Sequence, residues 1–451
     1  CIGRCLVVRI LCAVLGTAIV VLCPGIALAS DGGSSWEPPL WSPVFFAGLL
    51  VCIAVLPLLC GHWWEHNSNK GRIVALLGAP VALLVLHFDP ESLVHALVEY
   101  VQFMCLIGSL YVVAGGLHLT GNLRATPTIN TILLGIGYVL APVIGTTGAS
   151  MVMIYPLLRT NGERQWKSHT FVFYIVAVSN AGGLLTPLGD PPLFLGFLRG
   201  IPFLWFVQNL WVYWVSCGAY LLVLYFFVDS YFAKKEDAKH RIDDREHVEP
   251  MGLLGGFNIL LLGGIVTATC MLVTPLRECA YVGCAALSLV YARVNEQAIE
   301  ARKRNEFSWT PIVEVAVLFV GIFVTMIPAL SLLSTHGGSL GVSQPWQYFV
   351  ASGGFSSVLD NAPTFLVYLS LGMATTHAES AAGFAADDPR LLIAISLGAV
   401  LMGCNTYIGN APNFMVKAVA ERRGVKMPNF FAYAALAIAI MLPPYIVIMF
   451  F

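Results

Sequence analysis

From residue 40 to the C-terminus the chain alternates long apolar runs with short polar loops. About twenty apolar residues is the length a helix needs to cross the hydrocarbon core of a bilayer. Ten runs read as single spans, at about 40–60, 73–87, 101–119, 169–199, 203–229, 252–273, 278–292, 310–334, 390–416 and 429–451. Two more, 126–158 and 345–378, are too long for one helix and are interrupted in the middle. The pattern predicts an all-α polytopic membrane protein with about ten spanning helices and two re-entrant hairpins.

The interruptions are where the polar residues gather. Thr186 to Pro192 reads T-P-L-G-D-P-P and Thr406 to Pro412 reads T-Y-I-G-N-A-P, the same T-x-[L/I]-G-[D/N]-x-P at a spacing of 220. Each copy breaks a span, at 169–199 and at 390–416, and each is preceded by further small polar residues, Ser179-Asn180 in one and Cys404-Asn405 in the other. The hairpins break at 145–150 and at 356–364. Gly189, Pro191, Pro363, Gly409 and Pro412 are the helix breakers. Irregular backbone at membrane depth is tolerated only inside protein or along a cavity, and paired broken helices point to a transporter's binding site.

Lysine and arginine orient the chain. With both hairpins re-entrant and the N-terminus outside, loops 61–72, 120–125, 159–168, 230–251, 293–309 and 417–427 fall in the cytoplasm. They hold 19 of the 24 Lys and Arg residues, and beyond residue 29 only Arg199, Arg277 and Arg390 lie elsewhere, as the positive-inside rule requires. Residues 1–29 read as a signal peptide, with Arg4 and Arg9, an apolar stretch and Ala27-Leu28-Ala29 before Ser30; the alternative is a retained first helix. Each half then has three spans, a hairpin, a broken span and a final span, entered from opposite sides, which is an inverted-topology repeat. The first repeat is 30–233, the second is 251–451, and the mixed-charge segment 234–250 joins them as a solvated connection.

Composition agrees: 58% of the 451 residues are hydrophobic and 11% charged, outside the soluble globular range. The twelve cysteines show no metal-ligand spacing and read as small apolar residues, with Cys279 and Cys284 flanking a short external turn. No nucleophile with a base partner, nucleotide loop or His/Glu metal motif is present. An enzyme, a cofactor and a nucleic-acid partner are therefore not expected.

Asp190 and Asp360 are the only carboxylates at the breaks. A charge at the centre of a membrane helix costs ~2.5–3.5 kcal/mol on insertion scales, so an acid there is a functional candidate. The plainer reading of Asp190 is a cap ahead of Pro191-Pro192. Thr147, Ser150, Ser179, Asn180, Thr186, Asn361, Asn405, Thr406 and Asn410 offer neutral ligands around the two acids, or else join helices by hydrogen bonds. The breaks contain no Lys or Arg, which favours a cation over an anion. Burial disfavours the charged form of a carboxylate, so one group at Asp190 or Asp360 can hold a proton or Na⁺ (or Li⁺) but not readily both. Lys417 is expected to snorkel to the interface. His87, His95 and His118 are placed at span ends in interfacial roles, and Glu314 at a helix start. Trp36, Trp41, Trp63, Trp64, Trp205, Trp211, Trp214 and Trp346 are read mostly as aromatic belts.

At these residues the chain resembles the ion transporter superfamily, which includes NhaD-type sodium/proton antiporters, ArsB-type arsenite carriers, citrate carriers and divalent-anion/sodium symporters. The resemblance rests on Asn180–Pro192, Ser356–Thr364 and Ile408–Ala420, with matching hydropathy over 35–451. It implies hairpins and broken helices moving together as an elevator against a scaffold that forms a homodimer. The setting it implies is the lipid bilayer of the bacterial inner membrane with small ions as substrates, and a leader cleaved after Ala29 together with the loop charges would leave both mature termini periplasmic. Sodium-coupled anion carriers bear Ser-Asn-Thr at each hairpin tip. Here the first tip reads Thr146-Thr147-Gly148 and the second holds Asp360-Asn361, which weighs against a dicarboxylate. Asp190 and Asp360-Asn361 instead match the Gly-Asp and Asp-Asn positions of antiporter-like and arsenite-like members. The expected function is Na⁺/H⁺ antiport. The alternative is a proton- or sodium-coupled carrier of citrate, another carboxylate or an arsenite-like oxyacid.

Overall fold

The computed structural model describes residues 36–236 and 249–450. The expected signal peptide and most of the expected linker lie outside these residues. The first half runs α1 (Pro43–Leu59), α2 (Asn67–Phe88), α3 (Pro90–Ala114), β1 (His118–Asn122), α4 (Pro127–Ile144), α5 (Thr146–Thr160), α6 (Ser168–Ala177), α7 (Pro191–Leu198) and α8 (Phe203–Lys235). The second runs β2 (Glu249–Leu254), α9 (Phe257–Met271), α10 (Leu276–Val294), α11 (Glu296–Arg304), α12 (Thr310–His336), α13 (Pro345–Ser356), α14 (Asn361–Thr376), α15 (Ala381–Asp387), α16 (Pro389–Leu401), α17 (Ala411–Arg422) and α18 (Phe430–Met449). Among the described residues seven helices are long and apolar enough to cross a membrane, and three further apolar helices are shorter. The molecule is an all-α polytopic membrane protein with helical hairpins and two broken helices.

The hairpins are built by residues that leave the helix no alternative. Gly145, at φ +78, occupies a region that favours glycine, so α4 ends there and α5 starts at the next residue. The outer ends of α4 and α5 come back together. The amides of Asn130 and Asn161 exchange two 2.9 Å hydrogen bonds, and Asn130 also donates to Asp229 of α8 at 3.1 Å. Asp229 accepts from Arg164 at 2.5 Å and bonds His169 at 2.8 Å. This buried charge is therefore compensated, as a charge without water must be. In the second half, α13 lies close against α16: a Cβ added to Gly398 would sit 2.5 Å from the carbonyl oxygen of Phe349. Small residues allow helices in lipid such approach. The halves meet through aromatic packing, with Phe103 of α3 stacked on Phe319 of α12 at 4.8 Å.

Each broken helix uses one device twice. After α6 the chain makes a 3₁₀ turn over Ala181–Leu185 before α7, and after α16 it makes one over Met402–Asn405 before α17. The carbonyls released by the breaks have no water to turn to, so protein groups must meet them. The last helix of each half supplies an aromatic donor: Trp214 Nε1 of α8 to the Gly182 oxygen, and the Tyr433 hydroxyl of α18 to the Cys404 oxygen, both at 2.9 Å. Trp214 therefore serves the interior rather than an aromatic belt. Trp205 likewise donates to the Ala385 oxygen at 2.9 Å, and Trp64 is buried.

Several expectations are corrected. β1 and β2 form an antiparallel ribbon, with His118 opposite Leu254 and Asn122 opposite Glu249, and a bulge between Thr120 and Asn122. Two loop segments from different halves thereby satisfy each other's backbone groups, so the spans expected to reach 119 and to start at 252 stop at Ala114 and start at Phe257. Cys279 and Cys284 do not flank a turn; both lie on α10, because the turn between α9 and α10 comes earlier. Glu314 is more than a helix-start charge, since it pairs at 2.8 Å with the buried amine of Lys70. His118 is 2% exposed and not interfacial, held by Asn305 at 2.7 Å and Arg159 at 3.2 Å.

Candidate functional site

Glycine seats each break on its own hairpin tip. A Cβ on Gly189 would collide with the Gly183 carbonyl, and the Gly189 oxygen accepts a 2.8 Å hydrogen bond from the backbone N–H of Thr146. In the second half a Cβ on Gly409 would lie 2.6 Å from both the Gly403 and Ser356 oxygens. The residue after each glycine, Asp190 or Asn410, then opens a half-helix whose first turn contains proline.

Asp190 stands at the cap position, yet its side chain makes no cap hydrogen bond. It is 1% exposed and turned toward the other half of the protein. Its Oδ1 accepts from Thr146 Oγ1 at 3.0 Å and from Asn410 Nδ2 at 3.2 Å, and its Oδ2 accepts from Asn361 Nδ2 at 2.6 Å. Those donors belong to the first hairpin tip, the second broken helix and the second hairpin, so all four interruptions meet on one carboxylate. Hydrogen bonds to a charged group contribute about 1.5–3 kcal/mol each, and leaving their buried donors unmet costs about 1–3 kcal/mol. The junction also gathers the N-termini of α5, α7, α14 and α17, whose partial positive ends favour a negative group.

Asp360 behaves differently. It is half-buried, and its Oδ1 caps α14 by accepting from the Ala362 N–H at 3.0 Å. The plain capping role considered for Asp190 is thus the one Asp360 fills. Its neighbour Asn361 is fully buried, with Nδ2 on Asp190 and with Oδ1 meeting no hydrogen-bond donor.

Around this centre runs a shell of amides and hydroxyls. Asn180 donates to the Ile175 oxygen at 2.8 Å and to Asn413 Oδ1 at 2.7 Å, while Asn410 also reaches the Ser179 oxygen at 3.2 Å and Asn180 Oδ1 at 3.3 Å. The hydroxyls of Ser150 and Ser179 share a 2.7 Å bond. Thr186 donates to the Pro142 oxygen, and Thr406 donates to the Ser357 oxygen at 2.6 Å. Asn405 donates to Ser357 Oγ at 2.9 Å and accepts from Tyr445 at 2.9 Å. These five side chains of Ser150, Ser179, Thr186, Asn405 and Thr406 hold breaks to hairpins, and the hydrogen bonds to Asp190 come from others.

Two contributors were missed from sequence. Thr146, rather than the half-buried Thr147, bonds Asp190. Asn413 donates to the Gly403 and Thr406 oxygens, both at 2.9 Å, and accepts from Asn180. Its signal was available: it lies three residues after Asn410, hence on the same helix face. Lys417 packs its amine 5.0 Å from the Tyr407 ring and 3.6 Å from Glu421. Among the described residues no three His, Cys, Asp or Glu side chains cluster as a metal cage.

Residues 35–451 match a family model described as "Putative citrate transport". No curated protein matches the chain.

Proposed function

The chain belongs to this citrate-transport family and is a membrane transporter, and from that premise we propose that it is a secondary antiporter exchanging Na⁺ (or Li⁺) for H⁺ at Asp190. The observation that supports this reading is the buried Asp190 carboxylate, met among the described residues by neutral donors from Thr146, Asn361 and Asn410. A desolvated carboxylate without a cationic partner gains by taking either a proton or a metal cation. The amides suit both states. Asn361 and Asn410 donate N–H to the bare carboxylate, and rotation about their terminal bonds would turn hard carbonyl oxygens toward a cation. Asn361 Oδ1, now without a donor, is the first such oxygen. Because all four interruptions share Asp190, they would move as one body between the two sides, with the basic loops in the cytoplasm.

The family description favours a second reading, citrate or a related carboxylate as cargo. The four half-helix N-termini would then face the substrate's carboxylates, and Asp190 would carry the coupling ion. Purified protein in liposomes with an internal pH dye separates the two. Antiport predicts that Na⁺ or Li⁺ alone dissipates an imposed pH gradient. If cations alone do nothing and labelled citrate accumulates down a sodium or proton gradient, the antiport reading is wrong.

A further inference from the structure

Three buried asparagines, Asn413, Asn180 and Asn410, form a line that ends on Asp190. An amide nitrogen has two hydrogens to give and its oxygen can only accept, so each carboxamide in such a line fixes the sense of the next. The anchor is Asn413 of α17. Its Nδ2 donates to the Gly403 and Thr406 oxygens, both at 2.9 Å, and these carbonyls, freed by the second break, have no water to turn to. Asn413 Oδ1 must then face away from the break, where it accepts from Asn180 Nδ2 at 2.7 Å. The other hydrogen of Asn180 goes to the Ile175 oxygen at 2.8 Å, which leaves Asn180 Oδ1 facing Asn410 Nδ2 at 3.3 Å. Asn410 is thus held as a donor, with the Ser179 oxygen and Asp190 Oδ1 each 3.2 Å from the same nitrogen. Reversing Asn410 alone would set its oxygen against three oxygens. Reversing all three amides would set oxygens against the carbonyls of Gly403, Thr406 and Ile175. Asn361 is under no such hold: its Nδ2 is on Asp190 Oδ2 at 2.6 Å, and its buried Oδ1 meets no donor among the described residues.

We propose that Asn413, two amides removed from Asp190, is a positioning residue that sets the donor sense of the junction. Through Asn180 it keeps Asn410 a donor to Asp190 Oδ1, and so assigns to Asn361 the rotation open in principle to either amide. Given ion exchange at Asp190, on which this assignment rests, the proton or cation arrives at Oδ2, where the Asn361 oxygen takes the place of its nitrogen. Asp190 Oδ1 meanwhile keeps its donors Thr146 and Asn410. The shape of the break does not itself demand an amide at 413. The equivalent position in the first copy, 220 residues earlier, is the buried Leu193.

The test is a pair of mutant cycles on the full chain with two readouts. One is the infrared carboxyl or carboxylate stretch of Asp190, assigned by its loss in Asp190→Asn; the other is the Na⁺ concentration that half-saturates proton movement in liposomes. Asn413→Leu is expected to shift the band and to raise the half-saturating concentration about tenfold, the equivalent of one hydrogen bond. Added to Asn410→Ala it should change that concentration by less than about twofold, because the line then no longer reaches Asp190, whereas added to Asn361→Ala it should exert its full effect. Asn180→Ala cuts the line at its middle and should shift the band likewise, so poor folding of Asn413→Leu does not remove the test. A band unshifted in both Asn413→Leu and Asn180→Ala would overturn the proposal. So would a full added effect of Asn413→Leu on Asn410→Ala, which would make Asn413 a support for the break alone. A shifted band with no cation-driven proton movement in wild type would sink the antiport reading and leave the amide line standing.

Discussion

Thr186 and Thr406 adopt φ/ψ of −135/158 and −136/166, and Asp190 and Asn410 adopt −144/143 and −152/138. The two copies of the motif thus share one backbone, one glycine contact and one way of docking on a hairpin, and differ in charge at a single group. In the first copy that group is a carboxylate that accepts three hydrogen bonds. In the second it is an amide that donates one of them. A repeat built twice for structural reasons can therefore be divided chemically, with one copy holding a buried carboxylate, the group we propose exchanges ions, and the other donating a hydrogen bond to it.

Erasing the difference is the harshest test. Asp190→Asn makes the copies alike and is expected to lower exchange in liposomes about 100-fold or more, equivalent to losing two charge-assisted bonds of about 1.5 kcal/mol each. Asn410→Asp equalises them the other way, setting a second carboxylate where an amide now lies 3.2 Å from the first. Like charges at that distance disfavour joint ionisation, so exchange should fall about tenfold or more and the yield of monodisperse protein on size exclusion should drop. The double swap, Asp190→Asn with Asn410→Asp, should restore that yield, because one acid and one amide face each other again; a yield no better than that of Asn410→Asp alone would refute the pairing.

A smaller effect separates two adjacent threonines. Thr146→Ala removes a bond to the carboxylate and should slow exchange about tenfold, whereas Thr147→Ala should stay within about threefold, well under 1 kcal/mol. Equal effects, read as initial rates at matched protein, would place the hairpin tip differently from its position here. The smallest effect lies outside both copies. Burial pushes the pKa of His118 down from its ordinary 6.5, nearby Arg159 lowers it further, and the Asn305 hydrogen bond opposes. The folded state then binds fewer protons than the unfolded one, so this contribution is complete above about 6.5 and is lost as pH falls below it. Protection against amide exchange at 118–122, taken relative to the base-catalysed intrinsic rate at each pH, should weaken on acidification, and equally in Asp190→Asn; pH-independent protection would remove His118 from this role.

The breaks were legible because Gly145, Gly189, Gly409 and the prolines after them have backbone consequences that any context must respect. The roles of the two acids were not. Whether Asp190 or Asp360 caps its half-helix is decided by which way a side chain turns, and that depends on Asn361 and Asn410 arriving from 171 and 220 residues away. The same applies to Thr146 against Thr147, which differ only in the face they present. The ribbon of β1 with β2 was invisible for another reason: five or six residues beside a span carry too short an alternation to stand out from the apolar run. His118 looked interfacial until Asn305 and Arg159 closed over it.

The most direct test sets the two carboxylates against each other, by cation-driven proton movement in liposomes carrying wild type, Asp190→Asn or Asp360→Asn at equal, correctly inserted amounts. Asparagine caps a helix about as well as aspartate, so Asp360→Asn should keep its rate within about threefold of wild type, under ~0.7 kcal/mol, while Asp190→Asn falls to background. Proton movement that persists in Asp190→Asn and disappears in Asp360→Asn would contradict the account.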